Sequence, residues 1–250
     1  MEHKTVWMIS GNKGGVGKSL FCLALASALD MLDEKYAVLD GDGRTGDVYS
    51  VFTRKCPARL GDFRELRPES HLCSFDKKYE DMLHQLLSCS SHLIINTPDG
   101  ADSILAKWFD VTLQHTESNN CQFKFVYLMS DRPDGLDMLK ELRSRFQFLY
   151  PIRNLHFGDE SLFAVFNEEY AARFSSVANF PVLRGEEVRM LLDDKMNPME
   201  AFSRLNPKTK TYALPSLARA RLLAWQNKVN DEIFEMIDNK DVSTLVTGKW

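Results

Sequence analysis

The apolar positions fall into short uninterrupted runs separated by longer segments with helical spacing. Val6-Trp7-Met8-Ile9 has no polar break, the pattern of a strand buried on both faces. The stretch Leu20 to Leu29 is apolar and rich in alanine, too long for a strand, and predicts a helix packed on a sheet. Tyr36 to Asp40 predicts a second strand that runs into the polar, glycine-rich Gly41 to Asp47. A helix over Tyr79 to Leu87 and a central strand over His92 to Asn96 follow, then a helix over Ser103 to Phe109, a strand over Phe123 to Met129 and a helix over Leu136 to Arg145. Phe148 to Ile152 predicts one more strand, with Pro151 near its far end. Such alternation implies an α/β three-layer sandwich with a mostly parallel central sheet.

The last third reads as helical: Glu168 to Phe174, Glu186 to Asp194, a short turn from Pro198 to Phe202, and a long segment from Ser216 to Ile237. Pro181, Pro198, Pro207 and Pro215 fall between these elements and delimit them. In the final segment Ala218, Leu222, Trp225, Val229, Ile233 and Ile237 recur every three or four residues, a stripe suited to packing on the body.

With 250 residues and 44% hydrophobic content, one core suffices, so residues 1–250 are expected to form a single domain with a helical C-terminal part. A net charge of -4 gives no global attraction to polyanions, which leaves only a local basic surface as a route to nucleic acid. The five cysteines have neither metal-ligand spacing nor the density of a disulfide scaffold, and the six histidines show no ligand spacing. No stretch has the apolar length of a membrane span, and the start shows no leader pattern. A cytoplasmic protein is expected, without stable membrane insertion.

The chemistry concentrates in Gly11-Asn12-Lys13-Gly14-Gly15-Val16-Gly17-Lys18-Ser19-Leu20, placed between a strand and a helix. Gly14, Gly15 and Gly17 let backbone N–H groups turn toward an anion, and the helix start adds its positive end. Lys18 is then placed to contact β and γ phosphates, and the Ser19 hydroxyl to ligate Mg²⁺, so the expected ligand is ATP with Mg²⁺. Lys13 adds a second cation: it is either a solvated loop lysine or a group that reaches charge on a transferred phosphoryl group.

Lys13-Gly14-Gly15-Val16-Gly17-Lys18-Ser19 resembles the deviant Walker A motif of the ParA/MinD group of P-loop ATPases. The resemblance implies a nucleotide-dependent homodimer in which Lys13 reaches the γ-phosphate bound by the other subunit, with slow ATP hydrolysis driving a switch. Asp40-Gly41-Asp42 resembles the switch I segment, which gives Asp42 the task of orienting water and holding the Mg²⁺ hydration shell. Asn96-Thr97-Pro98-Asp99-Gly100 resembles switch II, with the Gly100 amide offered to the γ-phosphate. Asn96 departs from the pattern, standing where the family usually has the Walker B aspartate; the acidic role then falls to Asp40, Asp42 or Asp99, or hydrolysis is slow. Asn154 resembles the asparagine that pairs with adenine, or else caps the following turn, and Pro181 begins a stretch similar to the loop that packs on the base.

The second half, through Phe180-Pro181-Val182-Leu183, Leu191 to Lys195, Met199 to Phe202 and Leu217 to Trp225, resembles the plasmid-borne StbB/TraL branch. That likeness implies plasmid stability, partition or conjugative transfer, with a cargo or DNA-binding adaptor as partner. It also leaves room for nonspecific DNA binding and a nucleoid association. Arg219, Arg221 and Lys228 are the cations to consider for DNA, although Arg219 and Arg221 point apart on a helix. Two alternatives stay open: a nucleotide-gated protein- or DNA-binding module with little hydrolysis, and a small-molecule kinase or ligase.

Overall fold

The computed structural model describes residues 4–65, 74–100, 121–131, 134–146 and 148–238. Seven strands, β1 (Lys4–Gly11), β2 (Tyr36–Asp40), β3 (Ala58–Leu60), β4 (His92–Asn96), β5 (Cys121–Met129), β6 (Leu149–Asn154) and β7 (Ala178–Phe180), form one sheet in the order β3-β2-β4-β1-β5-β6-β7. Every pairing is parallel. The helices are α1 (Lys18–Met31), α2 (Asp47–Phe52), α3 (Ser74–Ser88), α4 (Asp134–Arg145), α5 (Ala164–Glu169), α6 (Glu186–Leu192), α7 (Pro198–Ser203) and α8 (Ser216–Asp238).

The uninterrupted apolar runs are explained by a core on each side of the sheet. Along β1, Trp7 and Ile9 join the layer containing α1, α2, α6, α7 and α8, while Val6 and Met8 join the layer containing α3, α4 and α5. All four are buried, as the absence of polar breaks requires. The stripe on α8 packs as its spacing predicts: Ala218, Leu222, Trp225, Val229 and Ile233 are buried, and Ile237 is half-buried against the same core. The far end of α8 is closed by Lys124, whose buried ammonium donates to the carbonyls of Met236 and Ile237 and lies 5.0 Å from the Trp7 ring centre. A cation over the last carbonyls complements the helix dipole.

Three elements escape the periodicity. β3 is three residues long, and Arg59 and Leu60 are exposed, so it carries no apolar run. α2 begins at Asp47, at the end of the segment read as a polar glycine-rich run. β7 is only Ala178–Phe180 and stops at Pro181. Pro151 does not end β6, which continues to Asn154. β7 pairs only with Ile152, Arg153 and Asn154, so Pro151 precedes that ladder and removes no bond from it.

The helix expected over Glu168 to Phe174 is corrected: α5 starts at Ala164 and ends at Glu169, and Ala171–Arg173 is a separate 3₁₀ turn. Tyr170 breaks the run at φ -124°, and Phe166 and Phe174 pack ring to ring at 6.0 Å across the break. The helix expected over Ser103 to Phe109 lies outside the described residues.

Of the cations considered for DNA, two have local partners. Arg219 stacks 3.3 Å from the Tyr212 ring centre and donates to the Phe202 carbonyl, and Arg221 pairs with the buried Glu187 at 2.6 Å. Lys228 is exposed.

Candidate phosphate-binding site

The loops after β1, β2, β4, β6 and β7 meet at the carboxyl edge of the sheet, where parallel α/β folds place ligands. They enclose a cleft of about 330 Å³. Its floor is the loop after β1. Gly11 admits no side chain there, since a Cβ would stand 2.7 Å from the Leu128 carbonyl oxygen and 2.5 Å from Val16. Gly17, at φ +93°, takes a left-handed conformation that turns the chain into α1. No side chain caps α1, so its first amides are left to an anion, and Gly14, Gly15, Gly17, Lys18, Ser19 and Leu20 all line the cleft. Lys18 is nearly buried and its Nζ donates to the Lys13 carbonyl at 3.3 Å, which folds the side chain back over the loop.

Two asparagines brace the loop. Asn12 accepts from the Ser130 amide at 3.1 Å and donates to its hydroxyl at 2.9 Å. Asn154 donates to the Val16 carbonyl at 2.7 Å and accepts from the His156 amide at 2.9 Å. Asn154 therefore lines the cleft and caps the turn after β6, while its amide holds the loop. Val16 itself is buried beneath the loop. Pro181 lines the same end of the cleft as Phe180, and its carbonyl is held by the Trp225 indole N–H at 2.9 Å.

The register pairs Asp40 on β2 with Asn96 on β4. Asn96 Nδ2 donates to Asp40 Oδ1 at 2.9 Å, and its Oδ1 faces the buried Cys22 thiol at 3.8 Å. Asp40 also accepts from the backbone amides of Asp42, Val48 and Tyr49 at 3.0–3.1 Å. Burial pushes the Asp40 carboxyl above its usual range, and the N–H groups of Tyr49, Asn96 and Asp42 oppose that shift. With four donors its two oxygens are fully used, so Asp40 anchors α2 and the turn after β2.

Asp42 lines the cleft, and Arg64 reaches its Oδ1 at 2.6 Å while also holding Asp62 at 2.8 Å. The isolated antiparallel bridge between Asp42 and Asp62 brings these segments together. Nothing in the spacing of Arg64 from Asp42 announces that contact, and the pair of Asp47 with Lys195 at 2.6 Å is equally long-range. Lys13 lies outside the cleft lining: its Nζ sits 4.0 Å over the Phe157 ring centre and 3.5 Å from Asp131. Gly100, at φ +71°, is exposed and also outside the lining.

Ser19, Asp42, Thr45 and Asp47 give one side of the cleft a set of hard oxygen donors. Such a set fits Mg²⁺, which takes one or two protein oxygens and shares the rest with phosphates and water. Among the described residues no three His, Cys, Asp or Glu side chains are grouped to hold a metal by themselves.

No family model matches the chain. The protein MobD of Acidithiobacillus ferrooxidans is 22% identical over 229 residues, covering 90% of this chain and 94% of that protein. Among solved structures, a plasmid partition protein from Borrelia burgdorferi B31 bound to AMPPNP aligns over 96% of this chain and all of its own, with a TM-score of 0.54 at 14% identity. The cell division ATPase MinD of Pyrococcus furiosus aligns over 94% of this chain and all of its own, with a TM-score of 0.53 at 13% identity. A nucleotide-binding protein from Archaeoglobus fulgidus in complex with ADP covers 76% of this chain and 86% of its own length, with a TM-score of 0.53 at 14% identity. The all-parallel sheet, the braced loop at its carboxyl edge and these alignments together give the chain the fold of the ParA/MinD-type P-loop ATPases.

Proposed function

We propose that the chain is an ATP-dependent dimerising switch with slow hydrolysis, serving plasmid stability, partition or conjugative transfer. The observation that carries this reading is the position of Lys13, whose ammonium rests on Phe157 beside Asp131 and away from its own phosphate cradle. A half-exposed carboxylate and an aromatic face hold a lysine weakly enough for it to be exchanged for a stronger anion. A triphosphate presented by a second copy is such an anion. The likeness in fold to a plasmid partition protein supports the biological setting.

In this reading Lys18 and the amides from Gly14 to Leu20 hold the phosphates, and Pro181 packs on the base. Asn154 keeps the loop closed from beneath. Mg²⁺, when bound, offsets charge on the β and γ phosphates. Ser19 supplies a hydroxyl to it, and Asp42, steadied by Arg64, holds its water shell.

Sedimentation with and without Mg·AMPPNP tests the proposal. Wild-type protein should become a dimer with nucleotide, and Lys13→Ala should stay monomeric while its ATP affinity changes by less than about threefold, under 1 kcal/mol. A wild-type chain whose oligomeric state ignores nucleotide would end the switch reading. Arg64→Ala should leave folding stability within about 1 kcal/mol, because the pair is partly solvated. It should still slow turnover about fivefold by loosening Asp42, an effect read in kcat rather than KM.

A second reading, a nucleotide-gated binding module with little hydrolysis, is favoured by Asn96, a neutral amide already committed to Asp40. Turnover that stays negligible when candidate adaptor proteins and DNA are added would select it.

A further inference from the structure

Among the described residues, five carboxyl or carboxamide groups stand around the phosphate end of the cleft, and four of them are committed. Asp40 is saturated by four N–H donors, Asn96 is divided between Asp40 and Cys22, Asp42 is held by Arg64, and Asp47 by Lys195. The fifth is Asp99, which lines the cleft and has no hydrogen bond or ion pair among the described residues.

The loop that carries it is tied down at its start. Thr97, two residues earlier, gives both its amide and its hydroxyl to the Ile9 carbonyl, at 3.1 and 2.8 Å, which ties this loop to the strand feeding the phosphate loop. At the other end the carboxylate faces Gly14: a Cβ built on that glycine would lie 3.2 Å from Asp99 Oδ2. An exposed carboxylate thus hangs over the amides expected to cradle the terminal phosphate.

We propose that Asp99 is the group that holds the attacking water, a role that rests on the ATPase reading of this cleft. Two anions in contact repel, whereas a water molecule between them can donate one proton to each. The water oxygen forms a bond to the γ-phosphorus as the bond from that phosphorus to the β,γ-bridging oxygen breaks. The bridging oxygen departs with its electron pair as part of ADP, and the water's proton passes to Asp99 and on to phosphate or solvent. Asn96 is a neutral amide that gives its N–H to Asp40 and cannot take up the water's proton, and Asp42 is turned to Arg64.

The test compares wild type, Asp99→Asn and Asp99→Glu in the full chain, measuring phosphate release at saturating Mg·ATP and ATP affinity by equilibrium binding. Asp99→Asn should lower kcat about a hundredfold with ATP affinity within about threefold, and Asp99→Glu should recover part of the loss. Unchanged kcat in Asp99→Asn would reduce Asp99 to a turn residue. Tighter ATP binding with unchanged kcat would make it an electrostatic gate instead, and either result overturns the inference. So would a wild-type chain that binds Mg·ATP and releases no phosphate, although that outcome leaves the nucleotide site standing. A chain that binds no ATP removes the proposed function itself.

Discussion

Replacing Lys18 by Ala is expected to lower kcat/KM for ATP by on the order of 10²–10³-fold, the loss typical of removing one pre-positioned donor from developing charge. Lys18 is the one cation folded back over the loop that also lines the cleft, so no other described side chain takes its place when it is truncated. Thermal unfolding offers a second readout. A nucleotide present at about 100 times its dissociation constant should stabilise wild type by about 2.7 kcal/mol. The variant should show no such gain. An equal nucleotide-dependent shift in both proteins would mean that this lysine merely terminates a turn, and its role as a phosphate contact would have to be abandoned.

Asn96→Asp is expected to damage the protein, although it introduces the aspartate that the resembled motif carries at this position. Asp40 is fully buried and Asn96 is 2% exposed, and the amide gives Asp40 one of its four N–H bonds. Aspartate there exchanges an attractive contact at 2.9 Å for two carboxylates in a desolvated site, at a cost on the order of 2–4 kcal/mol. The pair escapes by keeping a proton. Burial already raises the Asp40 carboxyl, and a neighbouring carboxylate raises it further. A raised folded-state carboxyl loses stability as pH climbs from the unfolded value through the folded one, so the gap between variant and wild type should be widest at pH 8 and shrink toward pH 5. Melting temperatures at the two pH values check the sign. A variant as stable as wild type at both would show that Asn96 and Asp40 are not coupled as described. Asn96 and Asp40 therefore form a matched set, in which a neutral N–H donor spares the buried Asp40 carboxyl a second acidic neighbour.

The sequence made the central strands legible because burial on both faces favours uninterrupted apolar runs, as in Val6 to Ile9 and Leu93 to Ile95. Edge strands escaped for the converse reason. β3 and β7 are three residues long, and their identity depends on a neighbour's register rather than on their own composition. The loop after β1 was readable since a local backbone shape needs glycines at fixed spacing, and Gly14, Gly15, Gly17, Lys18, Ser19 and Leu20 do come together around one cleft. Contacts between distant segments were not readable. Arg64 meets Asp42, and Lys195 meets Asp47, only because the fold brings loops from different strands to one edge. Asn154 was singled out by its resemblance to an asparagine that pairs with adenine, yet its hydrogen bond to the Val16 carbonyl spans 138 positions and left no local trace.

The ammonium of Lys124 beneath the end of α8 also limits what that helix can do. Peeling the helix away to lay Trp225, Val229 and Ile233 on a lipid surface would take from this buried cation the Met236 and Ile237 carbonyls that now receive its protons. Losing those two charge-assisted bonds and uncovering the apolar face that α8 covers costs several kcal/mol before any lipid is met. The amphipathic segment is thus a fastened beam of the body, and attachment to a bilayer would have to use another part of the molecule.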